Sequence, residues 1–476
     1  MQAVLRSEAM KGKGKGKGKG KGKRWWVATA ALGAGVAGLG TLGAAQGLGP
    51  NGPVGQEQPE PAWTQMALAV ANAIVAKDWP KVTARFDAAL GVALPADKMA
   101  AGWASVLAGA GAFVRIEKTD LTETSGHHVV ALTCAFQRTT LTMKIVFDDH
   151  GAVSGLRFVP AVGAGWAPPG YGRVAVDEHA VSVGPARLPG KLVLPRGTGP
   201  WPAVVLVHGS GPHDEDETTG GSRPFHDLAL GLAAKGVASL RYVKRTAVVP
   251  EQFTPDRRFT VREETVDDAR AAVALLAATR LVDPSRVWVV GHSLGGYLAP
   301  RIAEGNPQVA GIVVLAGPTR PMEDLVIEQT RYLSRGDADH GTARVAKAEA
   351  AARAARDPAL ADGTVVDFLG AKLPGSYFLD MRRYHPATLA ASLSIPILVL
   401  QGGRDFQVGR ADYDGWAKAL GGHLDATLKL YPALNHLFEV GSGPPGPEEY
   451  GRADQHVAEE VVVDIAKCIT QSPARR

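Results

Sequence analysis

The sequence predicts an α/β protein: a mostly parallel sheet covered by helices on both faces, preceded by a small α+β domain. Two observations carry this. From residue 174 onward, short β-branched runs at 203–207, 237–242, 286–290, 312–315, 397–400 and 427–430 alternate with amphipathic stretches, as strands buried on both faces and their crossover helices do. Before residue 163, helical spacing at 63–76, 82–90 and 96–107 gives way to four extended stretches, and helices followed by an antiparallel meander mark a separate unit. Pro168-Pro169-Gly170, within 163–172, closes that unit.

At 476 residues the chain exceeds one domain of about 150 residues. Hydrophobic residues at 45% and charged residues at 21% exclude wholesale disorder. The formal charge of +5 comes from the Lys-Gly alternation between Lys11 and Arg24, and the rest of the chain is slightly acidic. No nucleic-acid partner is therefore expected. The uncharged stretch 25–45 ends in Gly43-Ala44-Ala45, so residues 1–46 read as a basic n-region and signal peptide cleaved near Gln46. The other reading is a membrane anchor at 25–45, a length that spans a bilayer. Both place the bulk of the chain outside the cytoplasm, periplasmic or secreted. Residues 47–61 are a Gly, Pro, Gln and Glu-rich linker.

The small domain covers 62–162, with strands expected at 112–117, 128–136, 141–147 and 153–158 and a turn at Asp148-Asp149-His150-Gly151. His127 and His128 lack a third ligand at metal spacing and read as a strand-edge pair. Cys134 and Cys468 fall in different domains. Two buried thiols are the plainer reading, with a disulfide open in an oxidising compartment. The second domain covers 172–476, starting with a hairpin at 174–183 and 186–194 and continuing through helices at 225–235 and 261–279. Between about 318 and 392 the alternation breaks into helical sequence rich in Ala, Arg and Glu. An insertion there lies above the carboxyl edge of the sheet and reads as a helical lid; the bland reading is a solvated helical hairpin.

Chemistry is concentrated in three loops. Gly291-His292-Ser293-Leu294-Gly295 stands between the run 287–290 and a helix, the strand-turn-helix setting that exposes a serine hydroxyl on a strained turn. A serine needs an imidazole to take its proton and a carboxylate to orient that imidazole. Asp405 follows the strand 397–400 in Gln401-Gly402-Gly403-Arg404-Asp405, and His436 follows the next strand in a second loop. Both loops open on the edge that carries Ser293. His208 and His292 compete with His436, and Asp412 and Asp414 with Asp405. Each histidine adjoins a turn glycine, and both aspartates lie farther from the strand end. The acids at Asp214, Glu215, Asp216 and Glu217 read as a solvated loop. Glu263, Glu264, Asp267 and Asp268 read as helix N-terminal acids suited to the dipole.

The chain resembles the α/β-hydrolase superfamily over about 174–469, particularly exported bacterial members related to dienelactone hydrolases, acyl-thioester hydrolases and serine aminopeptidases. The resemblance rests on His208-Gly209-Ser210-Gly211-Pro212, Leu240-Arg241-Tyr242, the Ser293 pentapeptide, the Asp405 loop and Asn435-His436. Val243 departs from it, since related sequences often carry an acid there. The small domain resembles cystatin-like or NTF2-like domains in outline. The resemblance implies an α/β-hydrolase fold and an oxyanion hole formed by the amides of Ser210 and Leu294. It also implies a small-molecule ester or acyl substrate and no cofactor or metal. Esters are the expected substrate. Thioesters, an aminopeptidase reaction using Glu323, Asp324 or Glu328 for the substrate ammonium, and a non-catalytic binding protein on the same fold are the other readings. Oligomeric state is not legible.

Overall fold

The computed structural model describes residues 62–124, 127–137, 140–160, 166–335, 341–452, 454–474. The signal or anchor segment and the linker expected at 1–61 lie outside the described residues.

The small domain is α+β. Helices Ala62–Val75, Trp79–Thr83, Ala88–Ala93 and Ala96–Ala110 precede strands β1 (Phe113–Thr124), β2 (His127–Phe136), β3 (Thr140–Phe147) and β4 (Val153–Pro160), which pair antiparallel in sequence order. The single helix expected at 82–90 is instead two short ones. Asp78 accepts the Lys81 amide (3.2 Å) and Asp87 accepts the Leu90 amide (2.6 Å), so each carboxylate caps its own turn. Trp103, Cys134, Phe147 and Ile74 pack in the core between helices and sheet. His128 stacks on Trp63 with ring centroids 3.9 Å apart. Cys134 is buried and Cys468 half-buried; both are free thiols, pushed up to about 11 by burial, and behave as small apolar fillers.

The large domain begins with β5 (Val176–Val183), β6 (Leu188–Pro195), β7 (Trp201–Val207), β8 (Ala238–Tyr242), β9 (Val282–His292) and β10 (Val309–Leu315). An insertion carries the hairpin β11 (Val365–Phe368) and β12 (Ala371–Pro374), and β13 (Ile397–Gly402) and β14 (Ala426–Tyr431) complete the series. The eight-stranded sheet runs β14-β13-β10-β9-β7-β8-β6-β5. Strands β14 to β8 are parallel, and β6 is antiparallel to both its neighbours. Successive side chains of a strand point to opposite faces. Val204, Leu206 and Val290 accordingly pack on helices Pro224–Ala234 and Glu459–Gln471. Val205, Val207 and Val289 pack on Asp267–Ala277 and Leu294–Ala303. The strand order reverses between β7 and β9, which opens a crevice beyond their carboxyl ends.

The insertion between β10 and β13 comprises helices Met322–Leu333, Gly341–Arg356, Gly375–Arg382 and Pro386–Ser392 together with β11 and β12. It is not purely helical as expected, because Val365, Val366 and Phe368 favour a strand that the Ala and Arg-rich composition around it masked. Val326, Ala355, Phe368 and Phe378 give it a core of its own, which a solvated hairpin would lack. Its base is tied to the helix Arg410–Leu420, which follows β13, by Asp412, fully buried, which accepts the amides of Thr319 (2.9 Å) and Arg320 (3.1 Å) and pairs with the Arg320 guanidinium (2.7 Å). Asp412→Ala leaves two amides without their acceptor and the Arg320 guanidinium with Glu328 alone. We expect a loss of about 3 kcal/mol, read as a lowered thermal midpoint.

Candidate active site

Strand β9 ends at His292, and helix Leu294–Ala303 starts two residues later, with Ser293 alone between them. Ser293 makes the turn at φ 52°, ψ −114°, a conformation that L residues rarely adopt. Its amide donates to Leu315 O (2.8 Å), and its carbonyl accepts from the Tyr297 amide (2.9 Å). The flanking glycines are required by space: a Cβ on Gly291 would lie 2.1 Å from Gly295 O, and one on Gly295 would lie 2.1 Å from Val207 O. Strand, turn and helix are thus in main-chain contact.

Asp405 follows β13 on the same edge. Its Oδ1 accepts the amides of Gln407 (2.8 Å) and Val408 (2.9 Å), and its Oδ2 accepts Gln401 Nε2 (3.0 Å) and His436 Nδ1 (2.7 Å). Four donors fix the plane of this carboxylate. His436 is buried in the loop after β14, which is shaped by Asn435 Oδ1 accepting the amides of Leu437 (2.9 Å) and Glu439 (3.1 Å). With Nδ1 engaged, Nε2 is the ring nitrogen left to exchange a proton. Among the described residues no hydrogen bond joins Ser293 Oγ to His436. The structure therefore brings Asp405 and His436 into contact and sets Ser293 on the same rim.

Ser210, in the loop after β7, and Leu294, at the start of its helix, line a cavity of about 50 Å³ together with Ser293. Neither amide has an acceptor among the described residues. Met322, Leu325, Gln329 and Met381 from the insertion also line that cavity. The rival residues have other partners. His208 Nε2 is 3.0 Å from Asp214 O, and burial pushes this imidazole down to about 3, so it stays neutral. Asp412 is committed to the insertion, and Asp414 is exposed and paired with Arg410 at 2.7 Å. Among the described residues no group of three or more His, Cys, Asp or Glu side chains is arranged to hold a metal ion.

Residues 204–449 match the sequence profile of the alpha/beta hydrolase family. The chain is also 39% identical over 343 residues to Esterase EstD of Thermotoga maritima, a match covering 72% of this chain and 79% of that one. The chain belongs to the α/β-hydrolase family. The relative makes this hydrolase carboxylesterase-like, as the motifs led us to expect. Residues 67–156 of the small domain match a family of unknown function, DUF3887. Among solved structures, the hydrolase is similar to Est1E from Butyrivibrio proteoclasticus, at 16% identity over 61% of this chain and 97% of that one (TM-score 0.39). It is also similar to a puromycin-hydrolyzing peptidase of Mycobacterium tuberculosis, at 16% identity over 75% and 48% (TM-score 0.39).

Beneath the site, the hydrolase buries charges that the sequence reading left in solvent. Asp216 and Glu217 are buried, not solvated. Asp216 pairs with Arg241 (2.8 Å), which also reaches Glu178 (2.9 Å). Glu217 accepts the Gly209 amide (2.5 Å) and faces His292 Nδ1 (2.9 Å), while His292 Nε2 is 3.0 Å from His436 O. Of the helix N-terminal acids, Glu264 and Asp268 are buried and paired with Lys244 (2.6 Å) and Arg245 (2.7 Å), a stronger constraint than the helix dipole. Val243, where related sequences often carry an acid, donates its amide to Pro189 O (2.8 Å). Glu323 is buried, Asp324 pairs with Arg356 (2.7 Å), and Glu328 pairs with Arg320 (2.7 Å). Sequence reasoning missed Gln401, Glu217 and Lys244. The one available signal was position, since Gln401 and Lys244 sit at or just past strand carboxyl ends.

The Glu217–His292 pair predicts a pH signature. Burial alone would raise the Glu217 carboxyl, but His292 beside it brings it down to about 2 from 4.5. Its stabilisation is present above pH 4.5 and lost as pH falls towards 2. Burial alone would lower His292, but Glu217 holds it above 6.5, so its stabilisation is lost as pH rises through that raised value. The difference in thermal midpoint between wild type and Glu217→Gln should be largest near about pH 5–6 and shrink on both sides. A pH-independent difference would rule out an ionised pair.

Proposed function

We propose that this hydrolase cleaves carboxylic esters by acyl transfer, with Ser293 as nucleophile, His436 as general base and then acid, and Asp405 as the group that orients the imidazole. The observation that carries this reading is the 2.7 Å bond from His436 Nδ1 to Asp405, which leaves Nε2 available on the rim where Ser293 stands. In acylation, Ser293 Oγ attacks the ester carbonyl carbon as its proton passes to His436 Nε2. The carbonyl oxygen becomes an anion facing the amides of Ser210 and Leu294. Collapse of the tetrahedral intermediate breaks the bond to the alcohol, which leaves with the proton from His436. Water then repeats the sequence on the acyl-enzyme and releases the acid. An ionised Asp405 holds the tautomer and stabilises the imidazolium while it lasts. Similarity to an esterase over most of the chain supports esters as the substrate class.

The insertion serves as a lid in this reading. Drug-sized ligands occupy pockets of about 300–1,000 Å³, and the cavity beside Ser293 holds about 50 Å³. In this reading the Met322, Leu325 and Met381 side chains withdraw to admit the ester. Export rests on the basic run at Lys11–Arg24 and the apolar stretch 25–45, and N-terminal sequencing of the protein recovered from the periplasm or medium tests it.

A fluorophosphonate probe should label wild type and leave Ser293→Ala unlabelled. With p-nitrophenyl butyrate, His436→Ala and Asp405→Asn should each lower kcat by about 10³-fold or more without lowering the thermal midpoint enough to unfold the protein. Labelling of Ser293→Ala at the wild-type rate would refute the nucleophile. A series of p-nitrophenyl esters set against aminoacyl anilides separates an esterase from an aminopeptidase. We expect turnover of the esters alone, since Asp324 and Glu328 are already paired with arginines.

A further inference from the structure

Lys244 lies two residues beyond β8, and its side chain is buried, at 2% exposure. Its ammonium donates to Gly209 O (2.7 Å) and to Glu264 Oε1 (2.6 Å). The carbonyl of Gly209 and the amide of Ser210 are opposite ends of one peptide group, so a cation bonded to that oxygen acts directly on that N–H. The preceding peptide is held by an anion, because the Gly209 amide donates to Glu217. The loop is also fastened by His213 Nε2, 2.8 Å from Ser210 O, and by the Lys244 amide, which donates to His213 O (3.0 Å).

We propose that Lys244 is a positioning residue for ester hydrolysis, one that fixes the orientation of the Gly209–Ser210 peptide and polarises the Ser210 amide as an oxyanion donor. This rests on the reading of Ser293 and Ser210 given above. Two consequences follow from the geometry. Gly209 permits backbone conformations closed to other residues, and a flipped Gly209–Ser210 peptide would turn a carbonyl oxygen, not an amide, towards the developing oxyanion. The ammonium opposes that flip because it would lose one of its two acceptors in a buried site. A cation at the oxygen end of a peptide also draws electron density from the amide, and in a low-dielectric interior this strengthens its donation to an anion. Both effects act when charge develops on the substrate oxygen, so they belong to the transition state more than to substrate binding. Glu264 balances the charge and keeps the ammonium in place without itself touching the loop peptide.

The test uses the full chain, p-nitrophenyl butyrate as substrate and phenylboronic acid as the probe that forms a tetrahedral anion at a nucleophilic serine. Ser293→Ala comes first: hydrolysis that persists in it overturns the reading of the site, and the role of Lys244 with it. With hydrolysis lost in that variant, Lys244→Met should lower kcat about 10- to 100-fold, change KM by less than about 2-fold, and weaken phenylboronic acid by the same factor as kcat. The double variant Lys244→Met/Glu264→Leu removes the buried pair symmetrically and should regain thermal stability without regaining kcat. Return of kcat to the wild-type value in the double variant overturns the proposal, showing that Lys244 acts through folding alone. A kcat loss in Lys244→Met with undiminished boronate affinity overturns it as well.

Discussion

The approach of Gly295 to the carbonyl of Val207 is the constraint on which the rest of the site depends. A single methyl group there would lie 2.1 Å from the oxygen, so strand β7 and the helix after Ser293 meet main chain to main chain. That contact leaves no room for a gradual bend, and the residue between strand and helix takes a positive φ. The strain at Ser293 is offset by the sheet beneath it, where alternate residues of β7 and β9 lie in two well-packed layers. In return the serine side chain stands clear of the sheet, and the Leu294 amide, at the start of a helix, has no intrahelical acceptor.

A continuous set of polar contacts then links the three loops on this rim. Lys244 and Glu217 hold the two peptides of Gly209, Glu217 reaches His292, His292 lies against the carbonyl of His436, and His436 meets Asp405, which Gln401 anchors to β13. Each buried charge in this set has an opposite charge or several donors beside it, as the interior requires. These buried charges lie among the loops that carry Ser293, Asp405 and His436. The arrangement fixes backbone as much as side chain, since Gly209 is held at both its carbonyl and its amide.

Much of this was legible in the chain. The parallel strands, their helices and the small preceding domain follow from local periodicity, and the pentapeptide around Ser293 and the loops at Asp405 and His436 follow from glycine spacing at strand ends. The hairpin β11–β12 was not, because its few strand-forming residues sit in a segment dominated by Ala and Arg. The acids at 214–217 were misread for a related reason. A row of carboxylates looks the same in sequence whether it faces water or a buried arginine, histidine and backbone amide. Asp412 shows the converse: a rival to Asp405 by sequence, it is occupied in space by the Arg320 guanidinium and two amides of the insertion.

What the sequence by itself determined is therefore the order of strands and helices and the identity of the residues carried to the rim, since periodicity and turn chemistry depend on neighbours along the chain. Only the tertiary structure decided which ionisable groups are buried, which aspartate faces His436, and which side chain grips the peptide ahead of Ser210. Those outcomes depend on partners that folding brings from 20 to 144 residues away. Asp216, Glu217, Glu264, Asp268 and Asp412 each lie in the interior beside such a partner.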